Sequence, residues 1–186
     1  TKRPAWCRVA LFYQAPASSG KNSARSLYNP DMPKPQPEPL NNDQVLRRAR
    51  EVVAHDRFPM LATIDGEQPR VRPISPLRTD GFNVYFASLR AYHKTGELAQ
   101  NPRVELAYMD DRHDQVRLTG VCEMETDPEV RQSIWDESPL LRQYLGDIHN
   151  PQFLLYKVTP TEVRYMQEWA LEYYDVPFEA ATGDTP

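Results

Sequence analysis

The sequence predicts a mainly β protein, folded as a small antiparallel β-barrel, closed or split, with around six strands. Three observations support this class. The chain of 186 residues, 40% of them hydrophobic, is long enough for one domain with a substantial core. Its ten tyrosines favour strands. Short turns separate successive β-type runs, with few helical segments between them. A β-sandwich is the main structural alternative.

The first 40 residues differ from the rest of the chain in composition. A Ser/Gly/Asn-containing segment is followed by MPKPQPEP, in which every second residue is proline. Proline fixes φ and lacks a backbone donor, so this segment is expected to be extended and unable to pair in a central sheet. We therefore expect residues 1–40 to form an extended arm, residues 41–166 the barrel domain, and residues 167–186 an acidic tail whose aromatic first half packs.

The predicted elements follow from local signals. A helix is expected from Asn41, because Asn42 or Asp43 can cap it and an apolar stripe follows. Another helix is expected from about Tyr92 to Gln100, and a third after an N-cap and proline in DPE. The expected strands are PMLATID, QPRVRPISP, FNVYFAS, VELAYMD, QVRLTGVCEMET and FLLYKVTPTEVRYMQ.

Composition argues against several functional classes. A net charge of −4 and a pI of about 5.6 disfavour a general nucleic-acid or membrane binder, since either would carry excess Lys and Arg. The four histidines have no metal-ligand spacing, so no metal site is expected. Two cysteines fit a reducing compartment, and no apolar run is long enough to span a membrane. A cytoplasmic location is therefore expected.

Residues 72–104 form the strongest candidate for a binding site. We expect the strand that carries Arg72 to form a hairpin with the strand that ends at Ser88. In an antiparallel pair, the start of the first strand lies beside the end of the second. A short helix then begins with His93 and Lys94 in its first turn. Cations, a hydroxyl and a helix N-terminus at one point suit a phosphate monoester.

Several motifs in this region and after it carry a family resemblance. They are ATIDGEQPRVRPIS, VYFAS, His93-Lys94 placed eight residues before Pro102, NPRVELAY, VRLTGVCEM, Trp135 on a helix, and FLLYKVTPTEVRY. In their order and spacing they resemble the pyridoxamine 5′-phosphate oxidase superfamily of FMN-binding split barrels, and within it the general stress protein branch. The resemblance implies a six-stranded Greek-key split barrel and a homodimer with two FMN sites between its subunits.

The resemblance also implies a role for individual positions. Arg72 and the strand after it match the family's stretch along the FMN ribityl phosphate and ring. Ala87 and Ser88, at the end of the next strand, match the family's second contact with the flavin. His93 and Lys94 match the basic pair that holds the phosphate. Gln115 matches a family glutamine that contacts the flavin, often across the subunit interface. The expected cofactor-binding residues are Arg72, Pro73, Ile74, Ser75, Leu77, Ala87, Ser88, His93, Lys94 and Gln115.

The sequence therefore predicts an FMN-binding oxidoreductase. Arginine binds phosphate bidentately, lysine adds a point charge, and first-turn amides add donors. The flavin would supply the redox chemistry, so no catalytic triad is required and none is evident. The chain departs from the oxidase itself at Leu77, where the oxidase has a lysine, and in its C-terminal YMQEWALEYYDVPF, which lacks the oxidase's arginines. Vitamin B6 oxidation is therefore not expected, and the small-molecule substrate is not specified.

Three other readings of the sequence stay open. The first is a flavin-binding protein without turnover, such as a carrier, a sensor or a stress-related store. The second is a barrel that binds nucleic acid or protein without a cofactor, although the negative charge counts against nucleic acid. The third concerns the cofactor, because related split barrels also use a deazaflavin or haem; the sequence does not exclude the former and has no evident axial-ligand signature for the latter.

Overall fold

Four helices and eight strands follow one another in the part of the chain that the computed structural model describes, residues 38–170 and 172–179. The predicted N-terminal arm lies outside the described residues up to residue 37. The elements are α1 (Asn42–His55), β1 (Met60–Asp65), β2 (Gln68–Pro73), β3 (Pro76–Asp80), β4 (Asn83–Leu89), α2 (His93–Gln100), β5 (Arg103–Met109), β6 (Gln115–Met124), α3 (Pro128–Glu137), α4 (Pro139–Leu145), β7 (Phe153–Met166) and β8 (Tyr174–Asp175).

The strands form one antiparallel sheet in the order β2-β1-β5-β6-β7-β4-β3, with β8 paired to β7. Strands β2 and β3 lie at opposite ends of this order, yet only two residues separate Pro73 from Pro76. Because so short a connection cannot span an open sheet, the sheet curls until its two edges meet there. The predicted class, a mainly β antiparallel split barrel, is confirmed, with eight strands in the described residues rather than the six expected.

The predicted hairpin between the strand of Arg72 and the strand of Ser88 is wrong. Strand β2 pairs with β1, with Arg72 opposite Leu61, and it is β3 that pairs with β4. Two prolines explain the change of partner. Each lacks an amide donor for the ladder, so the single strand expected over QPRVRPISP breaks between Pro73 and Pro76 and resumes on a different neighbour.

Helix α1 begins with a complete capping box. The side chain of Asn41 accepts a hydrogen bond from the Gln44 amide, and the Gln44 side chain accepts one from the Asn41 amide. The predicted helix is thus present, with its cap one or two residues earlier than expected. Its apolar stripe, which includes Val45, Ala49 and Val52, is buried in the barrel core.

Hydrophobic side chains form two clusters on opposite faces of the sheet. One fills the barrel and includes Leu61, Phe86 and Leu118, and the other packs with residues of α3 and α4 and includes Ile134 and Trp135. Strand β4 contributes to both clusters because alternate residues of a strand point to opposite faces. The second cluster explains why this strand is almost wholly apolar.

Strands β6 and β7 approach each other closely at Gly120. A Cβ at this position would lie 2.4 Å from the carbonyl oxygen of Thr159, and the strand register shifts between Thr119 and Gly120. No side chain larger than hydrogen fits there without moving backbone. The longest strand pair of the barrel therefore depends on a residue without a side chain.

The C-terminal segment folds back onto the barrel. Strand β8 pairs with β7, the side chain of Val176 is buried, and the ring of Phe178 lies 5.9 Å from that of Phe82. In the described residues, no helix combines the length and the hydrophobicity needed to cross a membrane.

Candidate functional site

Arg72 is held at the rim of the barrel core by a small polar network. Its Nη2 lies 2.6 Å from Glu97 Oε2, and its Nη1 donates to the hydroxyl of Thr63. The same hydroxyl donates to Glu97 Oε2 at 2.5 Å. Thr63 and Glu97 are buried, whereas 24% of the Arg72 side chain is exposed. Two anchoring contacts on one side therefore leave part of the guanidinium open to a ligand.

Helix α2 presents an open N-terminus. Its N-cap is Tyr92, no side chain caps the helix, and its first turn contains no acidic residue. The first amides of a helix have no intrahelical acceptor and carry a partial positive charge. His93 and Lys94 begin the helix, so a ligand here would meet backbone donors, the Lys94 ammonium and the imidazole of His93 together.

Lys94 adds an incompletely compensated charge next to Arg72. Burial lowers the pKa of Lys94, the positive charge of Arg72 lowers it further, and the Glu97 carboxylate partly offsets both. The Lys94 ammonium lies 5.1 Å from the centre of the Tyr92 ring. No carboxylate of the described residues forms an ion pair with it. The structure thus brings the two predicted cations together, and their mutual repulsion favours an anion between them.

Ser88 lies at the end of β4 against the first turn of α2. Its hydroxyl oxygen lies 3.3 Å from that of Thr95, which donates to the Leu89 carbonyl at 3.0 Å. Ser88 is buried, so these contacts position the helix on the strand. His93 is exposed beside them.

The remaining predicted residues of this region are distributed over different environments. Ile74 is buried in the barrel core, while Leu77 and Ala87 pack against the cluster that contains Ile134 and Trp135. Pro73 and Ser75 are exposed. Of the ten predicted residues, Ser88, His93 and Lys94 therefore lie at the first turn of α2, and Arg72 joins them through its ion pair with Glu97 in the second turn.

Gln115 lies beneath an aromatic side chain that sequence reasoning did not assign to the site. The Tyr173 hydroxyl donates to Gln115 Oε1 at 3.4 Å. The Tyr173 ring centre lies 5.7 Å from the Arg117 guanidinium and 5.5 Å from that of Arg164. This pair of cation–π contacts fixes the ring over the two strands that carry the arginines.

Gln115 and Arg72 point to opposite faces of the sheet. Arg72 is opposite Leu61, which is opposite Leu106, which in turn is opposite Leu118. Gln115 precedes Leu118 by three residues, and alternate residues face opposite ways. Gln115 therefore faces away from the barrel core. Within a single chain, its side chain cannot reach a ligand bound beside Arg72.

Glu97 and Thr63 are the polar residues of the Arg72 network that the sequence did not single out. Glu97 follows Lys94 by three positions, which places both on neighbouring turns of α2. That spacing could have indicated that Glu97 lies near the site. Acidic residues on a short amphipathic helix usually lie at the surface, however, so nothing in the sequence indicated a buried carboxylate here. Arg70 and Arg78 form ordinary ion pairs with Asp65 and Glu137. Across the described residues, no group of three or more potential metal ligands occurs.

These features define a split-barrel protein with a candidate phosphate site at an open helix N-terminus. The chain belongs to the pyridoxamine 5′-phosphate oxidase family, because the model described as "Pyridoxamine 5'-phosphate oxidase" matches residues 45–167. The resemblance predicted from the sequence is thereby confirmed. No functionally curated protein matches the chain.

Solved structures support the same fold. A protein related to general stress protein 26 from Clostridium acetobutylicum is 18% identical, with a TM-score of 0.61, over 70% of this chain and 94% of that one. An FMN-binding, pyridoxamine 5′-phosphate oxidase-related protein from Nostoc punctiforme is 18% identical, with a TM-score of 0.53, over 70% and 83%. A heme-binding protein from Mycobacterium smegmatis is 20% identical, with a TM-score of 0.58, over 70% and 57%. At these identities the likeness establishes the fold alone.

Proposed function

We propose that the protein is an FMN-binding oxidoreductase that works as a homodimer. The observation that carries this proposal is the meeting of Arg72 and Lys94 at the open, acid-free N-terminus of α2. The chain belongs to a family that has an FMN-binding relative, so FMN is the ligand that explains this site with the fewest assumptions. The choice of FMN as the ligand of this particular chain rests on the chemistry of the site.

The residues present fit a phosphate monoester. Arg72 and Lys94 bring two positive charges, and Glu97 cancels only one of them. A phosphate monoester carries between one and two negative charges at neutral pH and has several acceptor oxygens. It would pair with the exposed part of the guanidinium, the ammonium and the first-turn amides of α2.

The protein residues would bind and orient the cofactor. Arg72 and Lys94 would hold the phosphate, and Ser88 would keep α2 in place on β4. Bound FMN supplies the transfer of hydride or electrons.

A second copy of the chain is supported by an exposed apolar surface, here called the outer-face patch. It lies on β1, β2 and β5 and consists of the exposed residues Met60, Val71, Pro73, Ala107 and Met109 together with the half-buried Ala62. Register places Gln115 directly opposite Met109, at the border of the patch. Burial of the patch between two copies would turn Gln115 of each chain toward its partner.

Purified protein tests the proposal directly. We expect it to be yellow, to release FMN on denaturation, and to bind FMN more tightly than riboflavin because only FMN carries the phosphate. Colourless protein that takes up no added FMN would overturn the proposal. Anaerobic mixing with NADH or NADPH then separates the two functional classes. Reduction of the bound flavin supports an oxidoreductase, and bound flavin that is not reduced supports a carrier or sensor.

FMN affinity is expected to fall at alkaline pH, with an onset below 10.5, the ordinary pKa of lysine. Burial and Arg72 lower the pKa of Lys94, so the free site loses this proton earlier than an exposed lysine would. Phosphate binds the protonated form better, so affinity is full below the lowered pKa and is lost above it. Fluorescence titration of FMN from neutral pH to pH 10.5 measures the effect.

Lys94→Arg provides the control for this pH dependence. Arginine keeps its proton throughout the range, so the loss of affinity should move to higher pH or disappear. An unchanged pH profile in this variant would show that another group is responsible.

A further inference from the structure

We infer that a cleft between α1 and β3 binds the anionic part of a substrate, a carboxylate or phosphate group, beside Ser75 and Leu77, which the family resemblance places along FMN. On one side, this α1–β3 cleft is lined by α1 and the residues after it, which include Arg50, Asp56 and Arg57. On the other side it is lined by β3 and the residue before it, which include Ser75, Leu77 and Arg78. The inference deepens the proposed function by naming a substrate class, and its relation to the flavin rests on that function.

The α1–β3 cleft has the size and lining of a small-molecule site. Its volume is about 620 Å³, within the range of roughly 300–1,000 Å³ that ligand pockets occupy. Apolar groups from Val53, Pro76 and Leu77 line it together with charged groups. A small organic molecule could therefore bury its carbon skeleton there while its anionic end meets a cation.

The charge of the cleft is strongly unbalanced. Three guanidinium groups line it against one carboxylate, that of Asp56. Arg78 is already bound by Glu137 Oε1 at 2.7 Å and by the Ser133 hydroxyl. The side chains of Arg50 and Arg57 have no hydrogen bond or ion pair with any other described residue. Two cations thus remain available to a ligand.

Asp56 forms no ion pair with either of these two arginines, and each of its carboxylate oxygens accepts a hydrogen bond from a main-chain amide of a described residue. Oδ1 accepts from the Phe58 amide at 2.9 Å, and Oδ2 accepts from the Met109 amide at 3.0 Å. Attraction to the negative end of α1 would account for a cation at position 57, immediately after the helix. It does not account for Arg50, which lies before the last turn, where this effect has faded.

The cleft also adjoins the proposed cofactor segment. Ser75 and Leu77 line it, and both belong to the stretch expected along FMN. Among the described strands β3 pairs only with β4, so its other edge makes no ladder hydrogen bonds. A substrate bound through Arg50 and Arg57 would therefore lie beside Ser75 and Leu77, the two residues of this cleft that the resemblance places along FMN.

The test uses the full chain saturated with FMN, so that the Arg72–Lys94 site is filled. It is titrated with succinate and, separately, with inorganic phosphate, by calorimetry and by absorbance of the bound flavin. We expect saturable binding of at least one anion and a small change in the flavin spectrum. In Arg50→Ala/Arg57→Ala the affinity should fall about tenfold or more, because two charge-assisted contacts are lost. Saturation by succinate alone indicates a carboxylate substrate, and saturation by phosphate alone a phosphorylated one.

Arg47→Ala is the matched control, because Arg47 is exposed on the same helix and does not line the cleft. It should bind both anions as the unsubstituted protein does. The inference is overturned if neither anion saturates, or if the double variant binds as tightly as the control. FMN uptake is read in the same samples. If none of these proteins binds FMN, the proposed function is wrong. The comparison of anion affinity between the double variant and Arg47→Ala would still show whether the cleft binds anions.

Discussion

Arg72→Ala is expected to weaken FMN binding roughly a hundredfold and to leave riboflavin binding almost unchanged. Charge-assisted hydrogen bonds contribute about 1.5–3 kcal/mol each, and a bidentate guanidinium can make two to one phosphate. Riboflavin lacks the phosphate, so it never gains these contacts. Fluorescence quenching titrations with both flavins measure the ratio of affinities, which separates a phosphate role of Arg72 from a general loss of structure.

The same substitution has a stability cost that must be separated from binding. Removing Arg72 leaves the buried Glu97 carboxylate without its cationic partner, although the Thr63 hydroxyl still donates to it. Breaking a buried pair from one side typically costs about 3–5 kcal/mol. Arg72→Ala/Glu97→Gln removes the uncompensated charge and should recover much of the free energy of unfolding in urea. It should not recover the affinity for FMN. Equal losses of FMN and riboflavin in this double variant would argue against the phosphate site.

Val71→Asp is expected to convert the proposed homodimer into a monomer. Val71 is 65% exposed in a single chain and lies opposite Ala62 in the outer-face patch. In a dimer that buries this patch, an unpaired carboxylate would have to leave water, at a cost of several kcal/mol. Sedimentation equilibrium gives the mass directly. FMN affinity should fall as well, because Gln115 of the partner would no longer be supplied.

Tyr144→Asp controls for the loss of an exposed hydrophobic residue in general. Tyr144 is 73% exposed on α4, outside the outer-face patch, so this change should leave the mass unaffected. Both variants should keep the stability of the isolated chain within about 0.5 kcal/mol, as surface substitutions usually do. A dimer that persists in Val71→Asp would place the interface elsewhere on the molecule.

Local signals were sufficient for much of the fold. The capping residues and apolar stripe of α1, the alternation along β6 and the prolines that bound the short helices all act over a few residues. The predicted pairing of β2 is wrong because it treats β2 and β3 as one strand. Pro73 and Pro76 break that strand, and β2 pairs with β1 across the two residues Gly66 and Glu67, which is a local hairpin. The pairings of β1 with β5 and of β4 with β7 join segments far apart in the chain, and these depend on the whole sheet.

By itself, the sequence determined the split-barrel class, the family, and the pair of cations, Arg72 and Lys94, that define the candidate site. The class and the family follow from the order and spacing of motifs that resemble those of the family, and the two cations follow from residue types that suit a phosphate. Only the tertiary structure decided that Glu97 and Thr63 anchor Arg72, that Gln115 faces away from it, and that Arg50 and Arg57 share a cleft with β3. These relations join residues far apart in the chain, and their distances depend on how the sheet closes rather than on any local propensity.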